Sequence, residues 1–319
     1  MPTVSKPNGI ARGQLGCVVS AVAVLICAPS EIARAQSPGV LACGLDAGPE
    51  RSVIEVLDGE TLRLDDGKHV RLLGISAPRS RDVGAGAQSW PPEAVTRTSL
   101  SALVAGRTVA LAFEGRREDR YGRVLAHVFL DDAGEKVWVQ GRLIDQGLAR
   151  AQSGPQADGC SAALNARERV AREAGRGLWA NAAYAVRPGD RPTELGRYRG
   201  RWILVRGTVD KVGGTQSLVF VDLRSAETAA ADDPGYERLR RVRITWRRSI
   251  DKSLALTVPV RRLRDRTVLI RGWLEMRGGA PEIELLAAGQ LEVEPVGRAG
   301  ASQEDPNMTT PSGEPAGRR

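Results

Sequence analysis

Residues 53–64 read VIEVLDGETLRL, and residues 69–80 read HVRLLGISAPRS. Both stretches are short runs rich in Val, Leu and Ile that are bounded by Gly, Asp or Pro, the pattern of short strands separated by turns. Working outward, the strands predicted for this half fall at 52–57, 61–64, 69–75, 108–113, 124–130 and 136–139, all rich in Val, Leu and Ile. Pro91 and Pro92 open a helix that runs to about Val104 and stops at Gly106. A second helix is expected over 141–146, ending near Gly147. A third, over 161–173, carries Leu164 and Val170 on one side and charges on the other, and closes at Gly175. Residues 51–180 therefore read as a small strand-rich barrel with helices packed on it.

The whole chain has 319 residues, 42% of them hydrophobic and 26% charged, with a formal net charge of +8. These values suit a basic globular protein of two domains rather than a membrane bundle or a disordered chain. Four Cys and two His exclude zinc fingers, zinc ribbons and haem-type ligand sets. His69 and His127 fall within strands, and no G-x-S-x-G or Walker sequence accompanies them.

Residues 1–35 have the layout of an export signal: Lys6 and Arg12 precede an apolar run at 15–28, and Ala33, Arg34 and Ala35 form an A-x-A cleavage site. The run is shorter than the roughly 20 residues a spanning helix needs. The expectation is a periplasmic or extracellular protein with no stable membrane span after cleavage, the alternative being an uncleaved anchor. Cys17 and Cys27 leave with the signal, and Cys43 and Cys160 remain. In an oxidising compartment these two form a disulfide, with two buried free thiols as the other reading.

After the N-terminal segment 36–50 and the barrel at 51–180, Pro188, Gly189, Asp190 and Pro192 mark a linker at 181–196. A second unit follows over 197–296, with strands expected at 202–210, 217–224, 241–246, 268–276 and 282–286. Residues 297–319 are rich in Gly, Pro, Ser and Thr and read as a disordered tail. Residues 51–180 hold 19 basic and 17 acidic side chains, whereas 197–294 hold 19 and 13, so the positive excess lies in the second unit. Within RRVRITWRR at 240–248, alternation puts Arg241, Arg243 and Arg247 on one face and Val242, Ile244 and Trp246 on the other. Such a face tracks a phosphate backbone, with Tyr198, Trp202 or Trp273 for base stacking. It is equally the pattern of a solvated sheet face over an aromatic core.

The blocks at 53–64 and 69–80 are followed by PPEA at 91–94, EDRYGRVLAHVF at 118–129 and GLW at 177–179. Together, and in this order, they resemble the staphylococcal nuclease, or thermonuclease-like, family over residues 51–180. The resemblance implies a β-rich α+β fold built on a five-stranded OB-type barrel with packed helices. It also implies hydrolysis of DNA or RNA phosphodiesters with one calcium ion. The family's two phosphate-binding arginines fall on Arg71 and Arg123, whose planar donors can hold two phosphate oxygens at once. Its metal carboxylates fall on Glu60, with Asp58 beside it, and on Ser76, a neutral hydroxyl that weakens any calcium site.

The family's catalytic glutamate falls on Arg79, and a guanidinium cannot act as general base. Losing that base costs about 10²–10⁴ in rate. Asp82 and Glu93 are nearby carboxylates that could substitute, and Asp119 is either a turn residue, a partner for Arg71 or a metal contact. More weakly, the second unit looks like an OB-type barrel of the nucleic-acid-binding kind. The expectation is an exported binder of nucleic acid or another phosphate polyanion, with weakly bound calcium and impaired hydrolysis. An active calcium-dependent nuclease with a rearranged site and a non-enzymatic envelope interaction module are the alternatives.

Overall fold

A computed structural model of the chain describes residues 43–80, 82, 91–227, 241–250 and 259–295. The segments read as an export signal, 1–35, and as a disordered tail, 297–319, lie outside the described residues. None of the described helices is long and apolar enough to cross a membrane.

β1 (Asp46–Asp58), β2 (Thr61–Leu64) and β3 (His69–Leu72) form an antiparallel meander, and the short β4 (Ile75–Ser76) follows. After α1 (Pro91–Val104), β5 (Thr108–Phe113) pairs with β1 and β6 (Val124–Asp132) with β5. The parallel pairing of β6 with β3, Val70 opposite Val124, closes a mixed five-stranded barrel. β7 (Glu135–Trp138) extends β6 as a hairpin and leads into α2 (Val139–Asp145); β8 (Arg150–Ala151) then pairs with β4, ahead of α3 (Ser161–Glu173). The barrel core is apolar, with Val53, Leu62, Val70, Leu72, Val128 and Leu164 essentially inaccessible.

The strand expected over 69–75 divides in two. Gly74 adopts φ +80°, and a Cβ there would come within 2.6 Å of Leu164 Cδ1, so the chain turns under α3 and restarts as β4. α1 and α3 have the expected bounds, whereas α2 begins at Val139, earlier than the expected 141. β1 starts at Asp46, inside the segment expected to precede the barrel, because it runs on past β2 to pair with β5 through an irregular register.

The segment read as a linker is packed. β9 (Arg187–Pro188) pairs in parallel with β10 (Trp202–Gly214), and α4 (Pro192–Leu195) buries Pro192 and Leu195. β11 (Leu218–Leu223), β12 (Arg243–Arg247), β13 (Thr267–Arg277), β14 (Ala280–Glu284) and β15 (Leu291–Val293) complete the second half. β12 starts at Arg243, two residues later than read. β10, β11, β12, β14 and β13 form a closed ring of five strands, shut by the β10–β13 pairing from Trp202↔Trp273 to Thr208↔Thr267. Numbered within each ring, both have the order 1-2-3-5-4, with a parallel contact only between the third and fifth strands. A separate apolar core fills the second ring, with Val205, Leu223, Trp246, Ile270 and Ile283 at its centre.

The described residues all fall within one compact unit. A polar seam joins the halves: Asp158 accepts from the backbone N–H groups of Ala288 (2.9 Å) and Gly289 (2.8 Å), and Asn165 donates to the Gly289 carbonyl (2.9 Å). Beneath them Glu168 of α3 pairs with Arg271 of β13 at 2.9 Å, both side chains fully buried. Glu168 also accepts from Ala151 N–H at 2.9 Å, and Arg271 pairs with Glu292. Cys43 and Cys160 are joined as a disulfide, with Cα atoms 5.0 Å apart.

Candidate functional site

The Asp-Gly-Glu turn between β1 and β2 places Glu60. Asp58 Oδ1 accepts from Glu60 N–H at 2.8 Å, so Asp58 shapes the turn. A Cβ on Gly59 would lie 2.8 Å from both Ala77 and Thr96, which is why the turn can press against α1 only with glycine there. Glu60 is carried inward and is 1% exposed. An ionised carboxylate at that depth needs charged or hydrogen-bonding partners. It has three: Ala77 N–H donates to Oε2 at 2.7 Å, Arg71 Nη2 lies 3.2 Å from Oε2, and Arg79 Nη2 meets Oε1.

Arg71 on β3 is further fixed by donating to the carbonyls of Leu72 (2.6 Å) and Ile75 (2.9 Å). Burial pushes its guanidinium down to about 10, against the pull of Asp58 and Asp119, so it stays charged at neutral pH. Arg123 closes the DRYGR turn and donates to Asp119 Oδ2 at 2.7 Å. Asp119 also accepts from the backbone N–H groups of Tyr121 and Arg123, the turn role foreseen for it, and its ionic partner is Arg123. Partial burial pushes the Asp119 carboxyl up, but the hydrogen bonds from Arg123 and Tyr121 outweigh it and hold the group below its ordinary value.

The calcium ion implied by the family resemblance needs several oxygen ligands, mostly anionic. Here Glu60 faces two guanidinium groups, Asp58 is engaged in its own turn, and Ser76, which also lines the cleft, offers only a neutral hydroxyl. This donor set does not fit calcium. Among the described residues the one grouping of three His, Cys, Asp or Glu ligand atoms within 4.8 Å is Glu114, His127 and Cys160, and Cys160 is in the disulfide. The two nearby carboxylates are also engaged: Asp82 accepts from Tyr184 Oη (2.7 Å) and Arg79 N–H (3.1 Å), and Glu93 from Ser80 N–H (2.6 Å).

Arg71, Arg79 and Arg123 open into a cleft of about 810 Å³ between the two halves. Arg120 joins them from the DRYGR turn, Arg150 from β8 and Arg201 from the start of the second ring. The six arginines face two carboxylates in that lining, Glu60 and Asp82. Tyr121, 68% exposed, and Tyr184, with the Arg150 guanidinium 4.9 Å from its ring centre, add aromatic surface. Sequence reading missed Arg120, Arg150, Arg201, Tyr121 and Tyr184. The first and fourth were visible inside DRYGR, but the other three come from segments with no motif of their own.

The basic face of the second half lies elsewhere. Arg241 is paired with Asp210 at 2.6 Å, and Arg243 is held by Asp222 through two bonds of 2.7 and 2.8 Å. Its hydrogen bonds to Asp222 keep Arg243 above its ordinary value despite partial burial. Val242, Ile244 and Trp246 are buried as the alternation requires. Neither Arg241, Arg243 nor Arg247 lines the cleft. Trp202 does, but is only 7% exposed, its indole packed edge-on to Trp273 with ring centres 5.9 Å apart.

Residues 69–181 match the family model described as staphylococcal nuclease homologue. The thermonuclease of Staphylococcus hyicus is 34% identical over 103 residues, 31% of this chain and 57% of the relative. That of Staphylococcus intermedius is 29% identical over 135 residues, 41% of this chain and 77% of the relative. The chain thus spans little more than half the length of the first of these relatives. The barrel, the DRYGR turn and these similarities together establish that the chain carries a staphylococcal-nuclease-like domain over residues 69–181, with thermonucleases as its homologues.

Proposed function

We propose that this protein binds nucleic acid, or another phosphate polyanion, in the arginine-lined cleft, with phosphodiester hydrolysis impaired. The observation that carries this reading is the Glu60 carboxylate held between Arg71 and Arg79. A thermonuclease-like reaction needs a general base and a metal carboxylate there, and a guanidinium supplies neither. Three positive groups at one end of the cleft instead suit a phosphate, which Arg can bind through paired donors. A rearranged hydrolytic site would have to recruit Asp82, whose carboxylate is already bonded to Tyr184 and Arg79.

In the same reading residues 51–180 and 197–296 are two OB-type domains; the shared strand order of the two rings supports this. The protein works outside the cytosol, supported by the Cys43–Cys160 disulfide and the export pattern at 1–35. The test is digestion of single-stranded DNA and RNA by the purified protein, with calcium and with chelator, beside an oligonucleotide-binding titration. Binding that weakens in Arg71→Ala, without calcium-dependent cleavage, is expected. Brisk cleavage that needs calcium and stops with chelator overturns the reading.

A further inference from the structure

Trp273 is a large apolar side chain of β13 that is half exposed. It lines the basic cleft and also a second, adjoining hollow of about 310 Å³, and the two share Arg71, Arg123 and Trp202 as well. The first lobe carries four further arginines, Arg79, Arg120, Arg150 and Arg201. The second adds apolar wall from Leu125, Ala157 and the half-exposed Leu286, beside polar groups that include Asp119 and Glu284. An exposed indole at the edge of an arginine-lined cleft, with apolar surface beside it, is suited to a ligand that is anionic at one end and flat and aromatic at the other.

We propose that Trp273 is a base-stacking platform, so that the second ring of strands supplies one wall of the binding site. The ligand is a single-stranded polynucleotide with a phosphate between Arg71 and Arg123 and the neighbouring base on Trp273. This inference rests on the polyanion-binding reading above. The strand must be unpaired, because a base inside a duplex already stacks on both faces and has no free face for the indole. Trp202 acts by positioning: packed edge-on against Trp273 and directly opposite it in the β10–β13 register, it holds the exposed ring in place. Its backbone carbonyl in turn accepts from Arg150 Nη1 at 2.9 Å, tying the platform to the barrel half.

The test compares a short fluorescent single-stranded oligonucleotide with an abasic deoxyribose-phosphate strand of equal length. Each is titrated by anisotropy into the wild type, Trp273→Ala and Trp273→Phe. Trp273→Ala should weaken the base-bearing strand roughly five- to a hundredfold and leave the abasic strand unchanged, with Trp273→Phe recovering most of the loss. Equal weakening of both strands, or no weakening of either, overturns the assignment of Trp273 while leaving polyanion binding in place. If the wild type binds neither strand, both readings fall together.

Discussion

At Glu60 a buried carboxylate stands between two guanidinium groups, and the balance between them controls both stability and charge in the cleft. Removing one partner of a buried ion pair leaves the other uncompensated, typically at 3–5 kcal/mol. Because Arg79 is about one-third exposed and can reach water, the loss for Glu60→Gln should be smaller, about 2–4 kcal/mol. The same change removes the negative charge that competes with a bound phosphate. Glu60→Gln is therefore expected to lower the urea midpoint and yet to tighten binding of a short oligonucleotide at low salt. Denaturation and anisotropy on one preparation check both directions. The motif made Glu60, Arg71 and Arg79 visible as a group in the sequence, but not their mutual pairing. That pairing depends on the turn after Gly74, which brings Ala77 and Arg79 back over the start of β2.

Among the secondary-structure elements, α3 and β13 carry the seam. The inward face of α3 presents Leu164, Glu168 and Ala171 at helical spacing, so an acidic residue sits on the buried stripe. Arg271 answers it from the other ring at 2.9 Å. Arg271→Ala would strand Glu168 with Arg172, 3.5 Å away, as its remaining ionic neighbour. We expect a loss of about 3–5 kcal/mol. Arg271→Met combined with Glu168→Gln should recover most of it, since the amide oxygen can still accept from Ala151 N–H and both fully buried charges are gone, while Arg172 and Glu292 each keep some access to water. Urea denaturation of the single and double variants measures the difference. In the linear sequence Glu168 sits among alternating charges and reads as one more solvated residue, because nothing in α3 itself shows that a second ring covers it.

For the molecule as a whole, two rings of the same strand order, each with its own core, are joined by polar contacts, and the barrel half is further closed by Cys43–Cys160 across a separation of 117 residues. Cross-linking so long a loop restricts the unfolded chain and contributes about 4–5 kcal/mol in the chain-entropy model. Reduction, or the paired change Cys43→Ser and Cys160→Ser, should lower unfolding stability by about that amount. Denaturation with and without reductant checks it, and the serine variant should no longer respond to reductant.

Strands, turns and helix ends were legible in the sequence because alternation, turn glycines and helix-opening prolines act within a few residues of one another. The positions of Arg71, Arg79 and Arg123 were legible for the same reason, since each lies inside a contiguous motif. Ring closure, and with it the meeting of Arg150, Arg201 and Trp273 in one cleft, was decided by tertiary structure. So was the neutralisation of Arg241 and Arg243 by Asp210 and Asp222, which left the apparent basic face of the second half already paired. These contacts join residues far apart along the chain, and no local preference can encode which distant partner a side chain will meet.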